Sequence, residues 1–340
     1  MVRTIRTLAL VAGAWACLPP AAQADTHPHG PGRAITHAPI GVMGDHRHGA
    51  GEWMLSYRYG FMSMTGNRDG TERRSTSDVL DEYMVSPRAM DMEMHMFGVM
   101  YAPTDWVTLR VMVPYLRLDM DHRNRMGVSF TTRSHGIGDV SLAGIFKLWK
   151  GERNELLVNF GVSAPTGTLH AKDDLPNTMG EPVRLPYPMQ LGSGTPDLLP
   201  GLTWNGDFGR FRLGSQLRGV YRIGRNDLGY RLGHRVMATS WAAFELCPSL
   251  SASLRLSFER WRDIQGDDDA LDPAVVPTAD PELRAGRRVD VSLGLNYLVR
   301  GGPLAGNRFA IEASRPVHQS LHGPQLETDW TATAGWQLAF

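Results

Sequence analysis

Apolar and polar residues alternate with a period of two along much of the chain. From Trp53 to Phe61 the odd positions are apolar or aromatic, whereas the even positions include Ser56 and Arg58. Successive side chains of a β-strand point to opposite faces, so this pattern predicts strands with one apolar face and one polar face. The same alternation recurs around residues 107–115, 140–148, 156–162, 211–221, 236–246, 250–258 and 289–297.

The polar faces of these segments carry charged side chains. A soluble barrel would pack apolar side chains inside, so charged inner faces and apolar outer faces predict a barrel that lies in lipid. We expect opposite charges to pair across a narrow lumen rather than to form an anion filter. The side chains assigned to the lumen are Arg58, Arg110, Asp139, Arg212, Arg218, Glu245, Arg255, Glu259 and Asp290.

Short and long connections alternate between the predicted strands. Outer-membrane barrels have short periplasmic turns and longer extracellular loops. The predicted fold is therefore an all-β, transmembrane outer-membrane antiparallel β-barrel of about 12 strands, with both termini in the periplasm. The alternation is weak near residues 196–204 and 307–317, so strand counts of 10 and 14 remain alternatives. The long polar connections are predicted near 65–89, 121–136, 166–195, 223–234, 263–287 and 318–326.

The first residues have the features of a secretory signal peptide. Arg3 and Arg6 precede an apolar run over residues 8–18, and Ala22-Gln23-Ala24 offers a small-residue cleavage site. Such a run is too short for a membrane anchor, so we predict a signal peptide over residues 1–24.

The rest of the chain divides into two regions. Residues 25–50 are rich in His, Pro and Gly without any period, which predicts a flexible periplasmic segment, and residues 51–340 form the predicted barrel. The last strand pattern, Thr328 to Phe340, resembles the signal by which outer-membrane barrels are recognised for assembly. We therefore expect the barrel assembly machinery, through Phe340, and outer-membrane lipids to be partners.

Composition excludes two classes of protein. The 35 basic and 35 acidic residues give a net charge of zero, so nucleic-acid binding has no electrostatic support. After the signal peptide no run of about 18 apolar residues occurs, so no transmembrane helix is predicted.

Several segments resemble a family of bacterial outer-membrane transporters named for the meta pathway of phenol degradation. The resemblance implies a barrel that moves small molecules, and it specifies neither the substrate nor the mechanism. The segments that carry it are Ala38-Pro39-Ile40-Gly41 through His46, Gly51-Glu52-Trp53-Met54 through Tyr59, Gly66 to Gly70, Met92 to Asp105, Ala164 to Gly167, and Leu191 to Thr195.

Methionine and histidine are concentrated in the first part of the chain. Thirteen methionines lie between residues 43 and 126, out of 17 in the whole sequence. Strand parity turns Met62 and Met64 into the lumen, whereas the parity of the next strand is ambiguous. Thioethers favour Cu(I) and imidazoles suit copper, nickel and zinc, so a copper site is one hypothesis, and ordinary packing beside a linker is the other. The candidate metal ligands are His46, His48, Met62, Met64, Met92, Met94, Met120 and His122.

Three functions follow from these observations. The first is a passive outer-membrane channel or transporter for a small solute, either an aromatic or hydrophobic compound or one linked to a metal. The second is a copper- or heavy-metal-handling barrel that uses the Met/His cluster. The third is a lipid esterase at the barrel rim, because His318 and Ser320 lie close to Asp329, and Ser134 adjoins His135. We expect no enzymatic activity and no cofactor other than copper.

Overall fold

The computed structural model describes residues 32–176, 178 and 180–340, and the signal peptide expected over residues 1–24 lies outside them. Strands dominate, which confirms the predicted all-β class. The one α-helix of the described residues, α1 (Thr76–Glu82), begins at a capping box in which Ser75 and Asp78 satisfy each other's backbone N–H groups. The strands are β1 (Trp53–Gly70), β2 (Glu72–Arg74), β3 (Val85–Thr104), β4 (Val107–Asn124), β5 (Ser129–Ile137), β6 (Val140–Lys150), β7 (Asn154–Ala164), β8 (Lys172–Asp173), β9 (Val183–Arg184), β10 (Asp197–Leu198), β11 (Gly201–Phe208), β12 (Phe211–Arg222), β13 (Arg235–Cys247), β14 (Leu250–Trp261), β15 (Gly286–Leu298) and β16 (Asn307–Ala339). Short 3₁₀ helices cover Ala34–Thr36, Tyr187–Met189, Pro277–Ala279 and Pro281–Leu283.

The long strands close into one antiparallel sheet. Its order is β11-β7-β6-β4-β3-β1-β16-β15-β14-β13-β12, and β12 pairs again with β11. The two-residue strand β10 continues the line of β11, and β5 continues the line of β6 along β4. A closed sheet leaves no unpaired edge, which is the condition for strands that lie in lipid.

The last strand, β16, runs along the barrel twice. Its first half pairs with β15 from Arg308 to Leu321, and its second half pairs with β1 from Leu326 to Ala339. The Gln319 side-chain amide donates to the Thr328 carbonyl at 2.8 Å and accepts from the Thr328 N–H at 2.9 Å, which joins the two halves. Eleven strands, one of them doubled, give the barrel twelve passes, as predicted.

Large apolar side chains cover the outer face of the barrel. Leu293, Leu217 and Ile311 are 66%, 53% and 50% exposed, although each lies in the middle of a strand. Trp53, Trp106 and Trp330 are also exposed on this face. An apolar belt with aromatic residues among its members is the surface that a membrane barrel presents to lipid. Among the described residues no helix is long and apolar enough to cross a membrane.

Strands β1, β3 and β4 continue beyond this belt. The connections predicted at 65–89 and 121–136 are shorter in the structure, because β1 continues to Gly70, β3 begins at Val85, and β4 pairs with β5 as far as Arg123 opposite Ser129. Above the belt both faces of a strand are polar, so the sequence loses the alternation that marks a strand in lipid. The expected loop at 318–326 is also narrower, because β16 continues through it.

The exposed belt generates a test of lipid contact. Leu293→Arg should lower the free energy of unfolding in a bilayer by about 2–4 kcal/mol, because it places a cation on the lipid face near the barrel midplane. Leu304→Arg is the matched control, because Leu304 is 59% exposed but lies in the turn before β16. Denaturant titration in liposomes measures both. Equal, small effects of the two substitutions would contradict a lipid-facing belt.

Candidate functional site in the barrel lumen

The N-terminal segment, residues 32–50, lies inside the barrel. Ile35 and Val42 are 0% and 2% exposed, and barrel side chains hold the backbone of the segment. Gln216 donates to the Met43 carbonyl at 3.0 Å, Asn205 donates to the Asp45 carbonyl at 2.7 Å, and the His48 N–H donates to the Thr108 hydroxyl at 2.9 Å. The described part of the segment therefore differs from the flexible periplasmic lead-in expected for residues 25–50. The lumen supplies hydrogen-bond partners that a free segment would find in water.

Two glycines let this segment pass close to the wall. A side chain at Gly41 would place its Cβ 2.2 Å from Glu312 Oε1 and 2.6 Å from Arg255 Nη2. At Gly44 the backbone adopts a φ of +72°, and a Cβ would lie 2.9 Å from Arg110 Nη1. Both positions therefore require glycine, one for space and one also for its left-handed backbone.

Asp45 is the main polar anchor of the segment. Its carboxylate accepts from the Ala38 N–H at 2.8 Å and contacts His46 Nδ1 at 2.9 Å. The His46 ring lies 4.0 Å from the His37 ring and 5.1 Å from the His48 ring, centre to centre. Burial lowers the pKa of His48 to about 3, and His46 adds to this effect while Asp45 opposes it. Burial, followed by Arg308, also holds the pKa of His37 well below its ordinary value, so both rings are neutral near pH 7.

A second element fills the extracellular half of the lumen. The connection between β7 and β10 folds inward, and Leu185, Met189 and Leu191 pack against Met90 and Met120. All five side chains are at most 5% exposed. This contact explains part of the methionine crowding by packing alone, since methionine fills irregular apolar gaps.

Asp139 anchors this inward connection. Its carboxylate accepts from the Gly167 N–H at 2.9 Å and from the Ser193 N–H at 2.8 Å. The Ser193 hydroxyl donates to the same carboxylate at 2.7 Å. Asp139 therefore holds a loop. Among the described residues it has no ion pair within 4 Å, and its charge acts on Arg222, so its place in a lumen charge ladder stays a prediction.

The other lumen charges pair with partners that differ from the expected ones. Among the described residues no ion pair within 4 Å joins two of the nine assigned residues. Glu259 and Asp290 instead share Arg288, which is not one of the nine. In the described chain Arg255 bonds Glu312 at 2.5 Å, and Arg33 bonds Glu245 at 2.6 Å. Arg288 approaches Asp290 at 3.0 Å and Glu259 at 3.7 Å, and Arg235 approaches Glu259 at 3.1 Å. Arg212 lines the periplasmic opening of the lumen.

Three of the arginines assigned to the lumen act on one another's charge without a carboxylate partner among the described residues. Among the described residues Arg58, Arg110 and Arg218 take part in no ion pair within 4 Å, and each charge acts on at least one of the other two. Arg58 and Arg110 are 8% and 7% exposed. The Nε atoms of both and Nη1 of Arg110 find no hydrogen-bond acceptor.

Two spaces remain inside the filled lumen. A periplasmic vestibule of about 1120 Å³ is bordered by His37, His48 and Phe340. A central cavity of about 290 Å³ lies between the N-terminal segment and the opposite wall. Met62, Met92, Met94 and Met96 line this cavity, so the methionines of β3 face inward and the ambiguous parity is decided. Its remaining lining includes Arg58, Arg218, Arg255, Gln216, Met43, Met237 and Thr333.

The candidate metal ligands fall into two separate groups. His46 and His48 belong to the N-terminal segment, whereas Met62, Met64, Met92, Met94, Met120 and His122 lie on the upper parts of β1, β3 and β4. His122 is buried and stacks on Phe130 with ring centres 5.0 Å apart. No group of three or more His, Cys, Asp or Glu residues in the described chain could hold a metal ion. Copper binding by the thioethers stays a prediction.

The serine and histidine pairs have other contacts. The Ser134 hydroxyl donates to the Met189 carbonyl at 2.7 Å, and so helps to hold the inward loop. Between Ser320, His318 and Asp329 the described chain has no side-chain hydrogen bond. These serine and histidine pairs do not line the vestibule or the central cavity. The histidines of the N-terminal segment line the vestibule, and Arg58 and Arg218 line the central cavity.

The tight fit of Gly41 generates a prediction. Gly41→Leu should displace the N-terminal segment, because the new Cβ would collide with the Arg255–Glu312 pair. Limited trypsin digestion of the folded barrel should then cut at Arg47 at least ten times faster than in wild type. Gly60→Ala is the control, since the nearest atom to its Cβ would be 3.8 Å away. Unchanged cleavage in Gly41→Leu would show that the segment is not held at this point.

The histidine pKa values predict acid sensitivity. A histidine whose pKa is lowered on docking stabilises the docked state above its free pKa of about 6.5, and this contribution is lost as pH falls towards the docked value. At pH 4.5 the loss for His48 is about 3 kcal/mol, given a docked pKa of about 3. Hydrogen exchange at the backbone amides of Ala38 and His48, corrected for the intrinsic rate at each pH, should therefore show less protection at pH 4.5 than at pH 7.5, and His48→Gln should weaken the dependence. A pH-independent segment would contradict this account.

Comparison with known proteins agrees with the fold and with the resemblance found in the motifs. Residues 88–181 match the model of the family described as "Putative MetA-pathway of phenol degradation". No curated protein matches the chain. The COG4313 outer membrane channel from Pseudomonas putida F1 shares 12% identity and a TM-score of 0.59, over 87% of this chain and 98% of that one.

The transport unit of the autotransporter AIDA-I from Escherichia coli is similar in fold. It shares 12% identity and a TM-score of 0.53, over 88% of this chain and 93% of that one. At 12% identity, the similarity to these two structures is a similarity of fold alone. The chain thus has the fold of a Gram-negative outer-membrane β-barrel and is similar, over residues 88–181, to the phenol-degradation family named above.

Proposed function

We propose that the protein is a passive outer-membrane channel for a small solute. The observation that carries the proposal is a closed barrel with an apolar outer belt, whose lumen holds a solute-sized cavity between two inward-folded segments. A barrel of twelve passes lies between barrels filled by side chains and the open 16- to 18-stranded porins. Selective passage of one small molecule suits this intermediate size better than bulk diffusion.

The comparisons support the same proposal. The COG4313 protein is described as an outer membrane channel, and the description of the matching family refers to phenol degradation. An aromatic or otherwise hydrophobic solute is consistent with the methionine wall of the central cavity. The terminal Phe340 is 62% exposed and its backbone pairs with Trp53, which supports the proposal that the assembly machinery recognises this strand.

The path of the solute has two obstacles. On the periplasmic side the N-terminal segment separates the vestibule from the central cavity, and Ile40 to Met43 form part of the cavity wall. On the extracellular side the connection between β7 and β10 packs against Met90, Leu118 and Met120. The N-terminal segment and the outer loop must both shift before a solute can pass. The N-terminal segment is held by a few polar anchors, whereas the outer loop packs into an apolar cluster. We infer that the N-terminal segment is the easier one to move.

Copper handling by the thioether cluster is a weaker candidate. Met62, Met92 and Met94 do line one cavity, which favours convergence of their sulfur atoms. The same cavity is bordered by Arg58 and Arg218, and their positive charge disfavours a cation.

Planar-bilayer recording tests the channel function. The refolded wild type should give small ion conductance, and a variant that lacks residues 32–50 should conduct several times more, because the cavity then joins the vestibule. Heat-shifted gel mobility confirms that both barrels are folded. Silent membranes for two folded proteins would contradict a channel.

A further inference from the structure

The three unpaired arginines are the strongest unexplained feature of the lumen. Other lumen arginines have described acceptors: Arg255 has Glu312, Arg288 has Asp290, and Arg308 donates to the Ala34 carbonyl at 2.6 Å. Arg212, at the periplasmic opening, also lacks an acceptor for its Nε, but it lies outside the central cavity. Arg58, Arg110 and Arg218 have no such acceptor among the described residues.

Their surroundings do not neutralise them. The carboxylate whose charge reaches both Arg58 and Arg110 is that of Asp45, which is already engaged by His46 and the Ala38 N–H. Glu259 acts on Arg218 from a distance, but its own contacts are with Arg235 and Arg288. Buried charges without partners are costly, and a cluster of like charges is more so. An anion between these guanidinium groups would remove both costs.

The central cavity gives such an anion a place. Arg58 and Arg218 border it directly, and Arg110 lies just behind Gly44 of the N-terminal segment. Met62, Met92, Met94 and Met96 line the cavity on the wall of β1 and β3, beside and on the extracellular side of Arg58, which pairs with Met96 in the strand register. Guanidinium groups bind carboxylates with paired hydrogen bonds, whereas polarizable thioethers make favourable contacts with aromatic rings. The cavity therefore combines guanidinium groups with an apolar methionine wall. Glu259 and Asp290 also line it, and both are engaged by Arg288.

We propose that the central cavity is a binding site for a small organic anion, a monocarboxylate on an aromatic or alicyclic body, with its carboxylate on Arg58 and Arg218 and its apolar body against the methionines of β1 and β3. This proposal names the solute class of the proposed channel and rests on that function. A volume of about 290 Å³ admits one ring with its carboxylate but not a long acyl chain.

Equilibrium binding to the full-length barrel in detergent tests the site without requiring transport. The probes are benzoate, benzyl alcohol as the neutral counterpart, and acetate as the anion without an apolar body. Benzoate should bind at least ten times more tightly than either, as followed by ligand-observed NMR or calorimetry. Equal binding of benzyl alcohol and benzoate would overturn the role of the arginines, and equal binding of acetate would overturn the role of the methionine wall.

Matched variants locate the site. Arg218→Gln and Arg58→Gln should each weaken benzoate binding at least tenfold and should still give the heat-shifted mobility of a folded barrel. Arg235→Gln is the control, because it removes one positive charge from a half-exposed position outside the cavity and leaves Glu259 its contact with Arg288. Unchanged benzoate affinity in both cavity variants, or an equal loss in Arg235→Gln, would overturn the proposal.

The binding and conductance measurements separate this proposal from the channel function. Ion conductance without benzoate binding would leave the channel standing and overturn the carboxylate site. Benzoate binding to a barrel that stays silent after removal of residues 32–50 would support the site and contradict the channel. With both intact, millimolar benzoate should reduce wild-type conductance and should not affect Arg218→Gln.

Discussion

The structure depends on one constraint: a strand in lipid must hydrogen-bond its backbone to another strand on each side. Hydrocarbon offers no partner for a free N–H or C=O group, so the sheet has to close. Twelve passes satisfy this requirement here, and the doubled strand β16 completes the ring between β15 and β1. Closure also explains why apolar side chains lie outside and polar side chains inside, the reverse of a soluble barrel. The outer face contacts lipid, whereas the inner face surrounds the lumen.

That enclosed space accounts for the N-terminal segment. A polar lumen carries amides and hydroxyls, such as Gln216, Asn205 and Thr108, that can bond a backbone with no regular structure. Glycine at positions 41 and 44 allows the backbone to lie against the wall. The outer loop reaches the lumen by another route, because its apolar residues bury against methionines above the lipid belt. The two segments that fill the barrel are thus held by different forces and should respond differently to pH and to solutes.

Charge is distributed unevenly within this filled lumen. Several cations meet a carboxylate from another strand, as Arg255 of β14 meets Glu312 of β16 across β15, which fills space and fixes geometry. Arg58, Arg110 and Arg218 meet none in the described chain, and two of them border the central cavity. On the proposal made above, the unpaired guanidinium groups beside the cavity are a recognition element that is retained at the cost of some stability. The methionine wall beside Arg58 would limit what that element can select.

The sequence by itself determined the barrel, its lipid face, its approximate strand number and the inward direction of Met62 and Met64, because alternation with period two records which face meets lipid. It did not determine where strands end above the belt, since Glu93 and Arg117 face one another there without an apolar pattern. Nor did it place residues 32–50 or assign charge partners such as Arg33 with Glu245. Those depend on contacts between residues far apart in the chain, which arise only when the sheet closes and brings opposite walls within reach of one another.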